Sequence, residues 1–289
     1  MARRERRPVR VPVQRRDHRD LRADRRVAVP PHQPPMIAVL AAGIDEVLDA
    51  ASQCASTDDL AAAGARGTEE LRRRTLAGRS ALRLLAAWGR GVPLELAGEL
   101  VIDRRCADCG GRHGQPTSSD LSLSSSTTSG RVLVAIADPA DAIGVDIETV
   151  PTQLWSEFDA YALHPAERLR MPASTQRVGV AARIALWTAK EAALKVSGRG
   201  LRDEPSSLLV EEHPLDGHPS WRIVHGAPSP ASGPSSVSVR QLAIGGSAAA
   251  SIATTRPQEV RLWSMPELLT ELGCLPNTGY DVGELSHLT

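Results

Sequence analysis

Lysine is nearly missing from this chain. Of its 34 basic residues, two are lysines, Lys190 and Lys195, and the other 32 are arginines. Aromatic residues make up 3% of the sequence, with Phe158 the single phenylalanine, so Leu, Val, Ile and Ala must fill most of the core. No run of about 18 apolar residues occurs, which excludes a hydrophobic transmembrane helix. The arginine-rich N-terminus lacks the apolar stretch of a signal peptide. Four cysteines, two of them spaced Cys106-x-x-Cys109, do not make the disulfide framework of a small secreted domain. The formal charge is zero, with 34 basic and 34 acidic residues, which excludes a wholly polycationic nucleic-acid binder. With 42% apolar and 24% charged residues, the expectation is a soluble, cytoplasmic globular protein.

The neutral total hides an uneven distribution. Residues 1–35 hold 11 arginines against 4 acidic residues, a net +7, and end in Pro30-Pro31 and Pro34-Pro35. No apolar period runs through them, so this segment reads as a disordered Arg/Pro-rich tail. A basic tail of this kind can touch nucleic acid or an acidic partner. A solvated extension, or sequence upstream of a start at Met36, is the preferred reading.

From Met36 the pattern becomes that of a folded protein. Ile37–Leu40 is strand-like, and Leu71 to Trp88 reads as an amphipathic helix. Arg131–Ala137 and Ile143–Ile147 are apolar runs around Asp138-Pro139-Ala140-Asp141, a hairpin signature. Gln176–Val196 has the strongest helical pattern, stopped by Gly198 and Gly200. Four strand-like segments follow: Ser207–Glu211, Trp221–Val224, Val237–Leu242 and Ala248–Thr254. A last candidate helix covers Pro266–Leu272. The order implies an α+β protein in two parts, 36–142 and 143–256, followed by a C-terminal extension, 257–289.

The chemistry concentrates in the second part. Asp146 and Glu148 alternate with Val145 and Ile147, and a side-chain period of two puts both carboxylates on one face of a strand. Glu191 and Lys195 are four apart and project from one side of the long helix. Three carboxylates with hard oxygen donors suit Mg²⁺, and a lysine beside them suits a phosphate. A Glu–Lys pair at this spacing is also a common solvated helix pair. What sets this one apart is that the sequence elsewhere uses arginine for positive charge.

Gly144-Val-Asp-Ile-Glu148, then Trp187-Thr-Ala-Lys-Glu-Ala-Ala-Leu-Lys195 and Gly198-Arg-Gly-Leu201, resemble the signature of the 4′-phosphopantetheinyl transferases, especially the Sfp-like branch. Arg72–Arg83 resembles the family's N-terminal helix and His113-Gly-Gln-Pro116 its His-Gly-Lys/Arg-Pro turn, so the likeness spans about residues 40–255. The resemblance implies two similar α/β halves related by a pseudo-twofold, with coenzyme A in the cleft between them. It implies transfer of the 4′-phosphopantetheine arm to a serine of an apo acyl or peptidyl carrier protein, with release of 3′,5′-ADP. Asp146, Glu148 and Glu191 would hold Mg²⁺. Glu191 would also be the base, and Lys195 would stabilise phosphate charge with Lys190 close by. Arg74, Thr75 and Arg79 would face the 3′-phosphate and adenine. A monomer acting without membrane or nucleic acid is expected, in the pathways of polyketide, nonribosomal peptide or fatty-acid synthesis.

Two positions depart from the family pattern. Where the family shows Ser-His-Ser, this chain has Ser124-Ser125-Ser126, and Gln115 replaces the expected Lys or Arg. Both changes remove a cation from the coenzyme A pocket, although hydroxyls such as Ser124 and Ser125 can still hydrogen-bond phosphate. The alternative is a degenerate homologue that binds coenzyme A without transferring its arm. Separately, Cys106-x-x-Cys109-x-x-x-His113 has zinc-like spacing. With three ligands in view against the four of a closed site, the sequence favours a loop with ordinary thiols.

Overall fold

The computed structural model describes residues 36–106, 108–173, 176–198, 203–218, 220–226 and 236–274. Residues 1–35, expected to be a disordered tail, and the tip of the Pro- and Ser-rich loop after 226 lie outside them, as does the Gly200-Leu201 end of the Gly198–Leu201 motif. All the described residues belong to one compact unit, His32–Thr289.

Alternating burial and continuous apolar runs build two sheets. The first has the order β2-β3-β1-β9, from Ser122–Thr128, Arg131–Ala137, Met36–Gly43 and Glu259–Trp263. The second has the order β4-β8-β7-β6-β5, from Ile143–Thr149, Ala248–Thr254, Ser236–Gln241, Arg222–His225 and Leu209–Val210. Each carries one long helix: α3, Glu69–Gly89, with the first sheet and α6, Arg177–Val196, with the second. Shorter helices α1 (Ile44–Ala51), α2 (Thr57–Gly64), α4 (Phe158–Ala162), α5 (Pro165–Arg168) and α7 (Met265–Glu271) complete this α+β architecture. No helix among the described residues is long and apolar enough to cross a membrane.

The expected hairpin does not form. Arg131–Ala137 pairs with β2 on one side and β1 on the other, whereas Ile143–Thr149 pairs with β8 in the other sheet. With β1 and β2 occupying both edges of β3, the chain must leave the sheet. The crossing is fixed by Asp141, fully buried, which accepts from Arg256 Nε and Nη2 at 2.7 Å each. The run before this turn is apolar from Val132 to Ala137 because β3 is covered on both faces. Ile37, Val39, Leu133 and Ala135 meet Val145, Ile147, Ile252 and Trp221 in one core cluster shared by the two sheets.

The segment after residue 256, expected as an extension, belongs to the first sheet. Its β9 runs parallel to β1, with Met36 opposite Glu259 and Leu40 opposite Trp263. Trp263, Met265, Leu268 and Leu269 fill the core beneath α3. A five-residue strand whose exposed face carries Glu259 and Arg261 gives too short an alternation to be told from a loop by pattern alone.

Candidate functional site

The site grows from a close approach. A Cβ placed on Gly144 would lie 2.0 Å from the carbonyl oxygen of Ala192, so β4 and α6 touch backbone to backbone at this point. Glycine is the residue that allows that distance. Asp146 and Glu148 follow on the same face of β4, while Val145 and Ile147 enter the shared core. On α6, Glu191 and Lys195 flank Ala192, so docking at Gly144 brings helix and strand carboxylates together.

Lys195 Nζ donates to Asp146 Oδ1 at 2.7 Å and to the carbonyl of Val145 at 3.0 Å. Asp146 is buried, and among the described residues its other oxygen, Oδ2, has no hydrogen-bond partner; neither has Glu191 Oε1. Burial pushes the Glu191 pKa up to about 7; Asp146 and Glu148 add to the rise and Lys195 opposes it. Glu148 is raised by burial and then by Asp146, against Lys195, Arg74 and a hydrogen bond from Thr128. Asp146 raises both Glu148 and Glu191, and Glu148 raises Glu191, so the three carboxylates sit within electrostatic reach. Their ligand atoms are spread more widely than 4.8 Å, the spacing met among the described residues by one Cys/His group elsewhere. The orphaned oxygens and the all-oxygen donor set fit a hard divalent cation that completes its shell with water and phosphate.

Strand β2 forms the opposite wall, and its hydroxyls do the joining. Ser124 Oγ accepts from the Val145 amide at 2.9 Å, and Thr128 Oγ1 accepts from the Thr149 amide at 3.3 Å. Between them, Ser126 donates to Asp146 Oδ1 at 2.8 Å. The run Ser-Leu-Ser-Ser-Ser-Thr-Thr thus substitutes side-chain oxygens for a backbone ladder between the edges of two sheets. Ser126 was missed by reading the sequence. The signal was available in the strand's period of two, which puts Ser124, Ser126 and Thr128 on one face and Ser125 and Thr127 on the other.

Other expected residues lie as follows. Arg74 donates to the Thr127 carbonyl at 2.6 Å and adds positive charge near Glu148. Thr75, half-buried, accepts from Arg66 Nε at 3.1 Å. Arg79 is not open to a ligand: it is buried, donating to Asp59 Oδ1 at 2.9 Å and to the Arg112 carbonyl at 3.0 Å. Asp59 also accepts from Arg83. Burial would raise the Asp59 pKa, but its bonds to Arg83, Arg79 and Ser56 outweigh that and lower it. Ser124 is spent on the Val145 amide, and Ser125 is half-buried on the face towards α3.

Lys190 is also not at the cluster. Its ammonium is fully buried, 2.6 Å from Glu167 Oε2 and 2.8 Å from the Ala162 carbonyl. Five positions on a helix turn through about 140° net, so Lys190 and Lys195 face different neighbours. Gln115, in place of a cation, donates to the Lys195 carbonyl at 3.2 Å and lies against Gly198 (φ +73°), the left-handed residue that ends α6. A cavity of about 320 Å³ lined by Leu186, Ala189, Val210 and Val239 opens elsewhere on α6 and contains none of these groups.

This is a cluster of three carboxylates with an adjacent ammonium, at the seam of two α/β layers. Residues 142–250, which carry Asp146, Glu148, Glu191 and Lys195, match the model of the 4′-phosphopantetheinyl transferase superfamily, and that match supports a transferase. No curated protein matches the chain.

Proposed function

We propose that this protein transfers the 4′-phosphopantetheine arm of coenzyme A to a serine of an apo acyl or peptidyl carrier protein. We place it in the Sfp-like branch, with its two sheet-and-helix halves related by a pseudo-twofold. The observation that carries this reading is the pair of buried, unpartnered oxygens, Asp146 Oδ2 and Glu191 Oε1, beside Lys195.

Asp146, Glu148 and Glu191 are the residues that would hold Mg²⁺, which when bound would offset the charge of the pyrophosphate. The chain's own groups do the rest. The carrier serine oxygen forms a bond to the phosphorus nearest the pantetheine arm. The bond from that phosphorus to the bridging oxygen breaks, and 3′,5′-ADP leaves. The serine proton passes to Glu191, directly or through a water, because a hydroxyl is a weak nucleophile at neutral pH. Lys195 is held on Asp146 and the Val145 carbonyl until phosphate arrives, and Ser126 fixes the other side of Asp146. Arg74 is the arginine of α3 placed to meet coenzyme A. With Arg79 engaged by Asp59, the adenine end is held by Arg74, Thr75 and Arg66.

The test is the mass of an apo carrier protein after incubation with coenzyme A, Mg²⁺ and this protein. A gain of one phosphopantetheine arm, lost when the divalent ion is chelated, is expected. No gain across several carriers overturns the reading. Coenzyme A binding that persists without transfer would instead identify a binding homologue.

A further inference from the structure

The stretch between α3 and β2 has little to hold it. Among the described residues from 103 to 120, none joins a hydrophobic cluster. Its turn is shaped by backbone bonds. Asp103 and Thr117 form an antiparallel bridge, with N–O distances of 3.0 and 2.8 Å. Inside it the Gly114 amide donates to the Arg104 carbonyl at 2.7 Å, Cys106 N to the Gly111 carbonyl at 2.8 Å, and Gly110 N to the Cys106 carbonyl at 2.9 Å. Gly110 takes φ +70°, which lets the chain reverse between Cys106 and His113.

That reversal gathers three soft ligands. The ligand atoms of Cys106, Cys109 and His113 all lie within 4.8 Å of one another, and Cys109 Sγ is 3.0 Å from His113 Nε2. The Gly111 amide donates to Cys109 Sγ at 3.4 Å, and Cys106 Sγ donates to Asp108 Oδ2 at 3.9 Å. The N–H···S bond disperses thiolate charge. Zinc takes Zn–S of about 2.3 Å and Zn–N of about 2.0 Å, so neighbouring tetrahedral ligands stand roughly 3.5–3.8 Å apart. With one pair 3.0 Å apart and all three within 4.8 Å, the atoms bracket that spacing.

We propose that Cys106, Cys109 and His113 Nε2 bind a zinc ion, both thiols losing their protons on binding, with water in the fourth position that the exposure of Cys109 and His113 leaves open. The ion would staple a turn that leads directly to the seam. Two residues beyond His113, Gln115 bonds the Lys195 carbonyl, and one residue before it, the Arg112 carbonyl takes Arg79. The proposal does not depend on the transferase reading.

Elemental analysis of the full chain, purified under reducing agent without added chelator, tests it. About one zinc per chain is expected, lost in Cys109→Ser and in His113→Ala but kept in Cys274→Ser. Replacing zinc by cobalt should give thiolate charge-transfer absorption and the ligand-field bands of a tetrahedral ion. Protein that holds no zinc and shows no such absorption with cobalt overturns the proposal. So does zinc retained in a Cys106→Ser, Cys109→Ser double variant. Circular dichroism separates loss of metal from loss of the fold.

Discussion

Burial, with Asp146 and Glu148 adding and Lys195 opposing, lifts the Glu191 pKa from 4.5 to about 7 and ties stability to pH. A carboxyl whose folded pKa exceeds its unfolded one keeps a proton in the fold that the open chain has released. The metal-free fold therefore loses stability as pH rises through the window from 4.5 to about 7. Glu191→Gln removes that loss. At pH 8, without divalent ions, the variant should be more stable by about 2–3 kcal/mol in urea titration, and the difference should vanish near pH 4. Lys190 makes the opposite case. Its ammonium and Glu167 are buried together, and Glu167 also accepts the His164 and Val210 amides, at 2.8 and 2.9 Å. Lys190→Met should cost about 3 kcal/mol of stability and leave the KM for coenzyme A unchanged in the folded fraction. A raised KM with unaltered stability would return Lys190 to the ligand. The two lysines were conspicuous in the sequence because arginine serves every other cation. Rarity singled out both without separating the buried ion pair of Lys190 from the contact of Lys195 with Asp146, since burial is set by which side of α6 each occupies.

The critical contact at the scale of elements is β4 against α6. Gly144→Ala would force a methyl carbon to within 2.0 Å of the Ala192 carbonyl, so helix and strand must part. The expected outcome is a loss of about 1–3 kcal/mol of stability together with weakened divalent-ion binding at the carboxylates, read by titration with Mn²⁺. Unchanged ion affinity would show that the carboxylates do not depend on this contact. The two long helices were legible because their periodicity extends over many residues: α6 spans Arg177–Val196 against the expected Gln176–Val196; β8, a short run of mostly small apolar residues, also matches Ala248–Thr254. The false hairpin shows the limit. Two apolar runs around Asp-Pro-Ala-Asp carry the local chemistry of a turn, but pairing depends on which edges are free. Here β1, from nearly a hundred residues earlier, already holds the one β3 would have offered.

For the molecule as a whole, two sheets share one core and meet along β2 and β4, where hydroxyls bridge the edges. The chain leaves the first sheet at Asp141, builds the second, and returns through β9 to lie beside β1. Neither the return nor the Arg256–Asp141 clasp is written in any local pattern, because both are long-range pairings. The Asp-x-Glu and Glu–Lys spacings were readable because each is confined to one element, while Ser126, across the seam, became visible once the sheets were placed. In the proposed function, Asp146, Glu148, Glu191 and Lys195 act together in transfer. Single-turnover transfer to an apo carrier, followed by mass with saturating coenzyme A and Mg²⁺, tests this most directly when folded Glu191→Gln is compared with the unaltered protein. Transfer by the unaltered protein and a rate lower by about 10²–10⁴-fold in the variant are expected; equal rates would rule out Glu191 as the base.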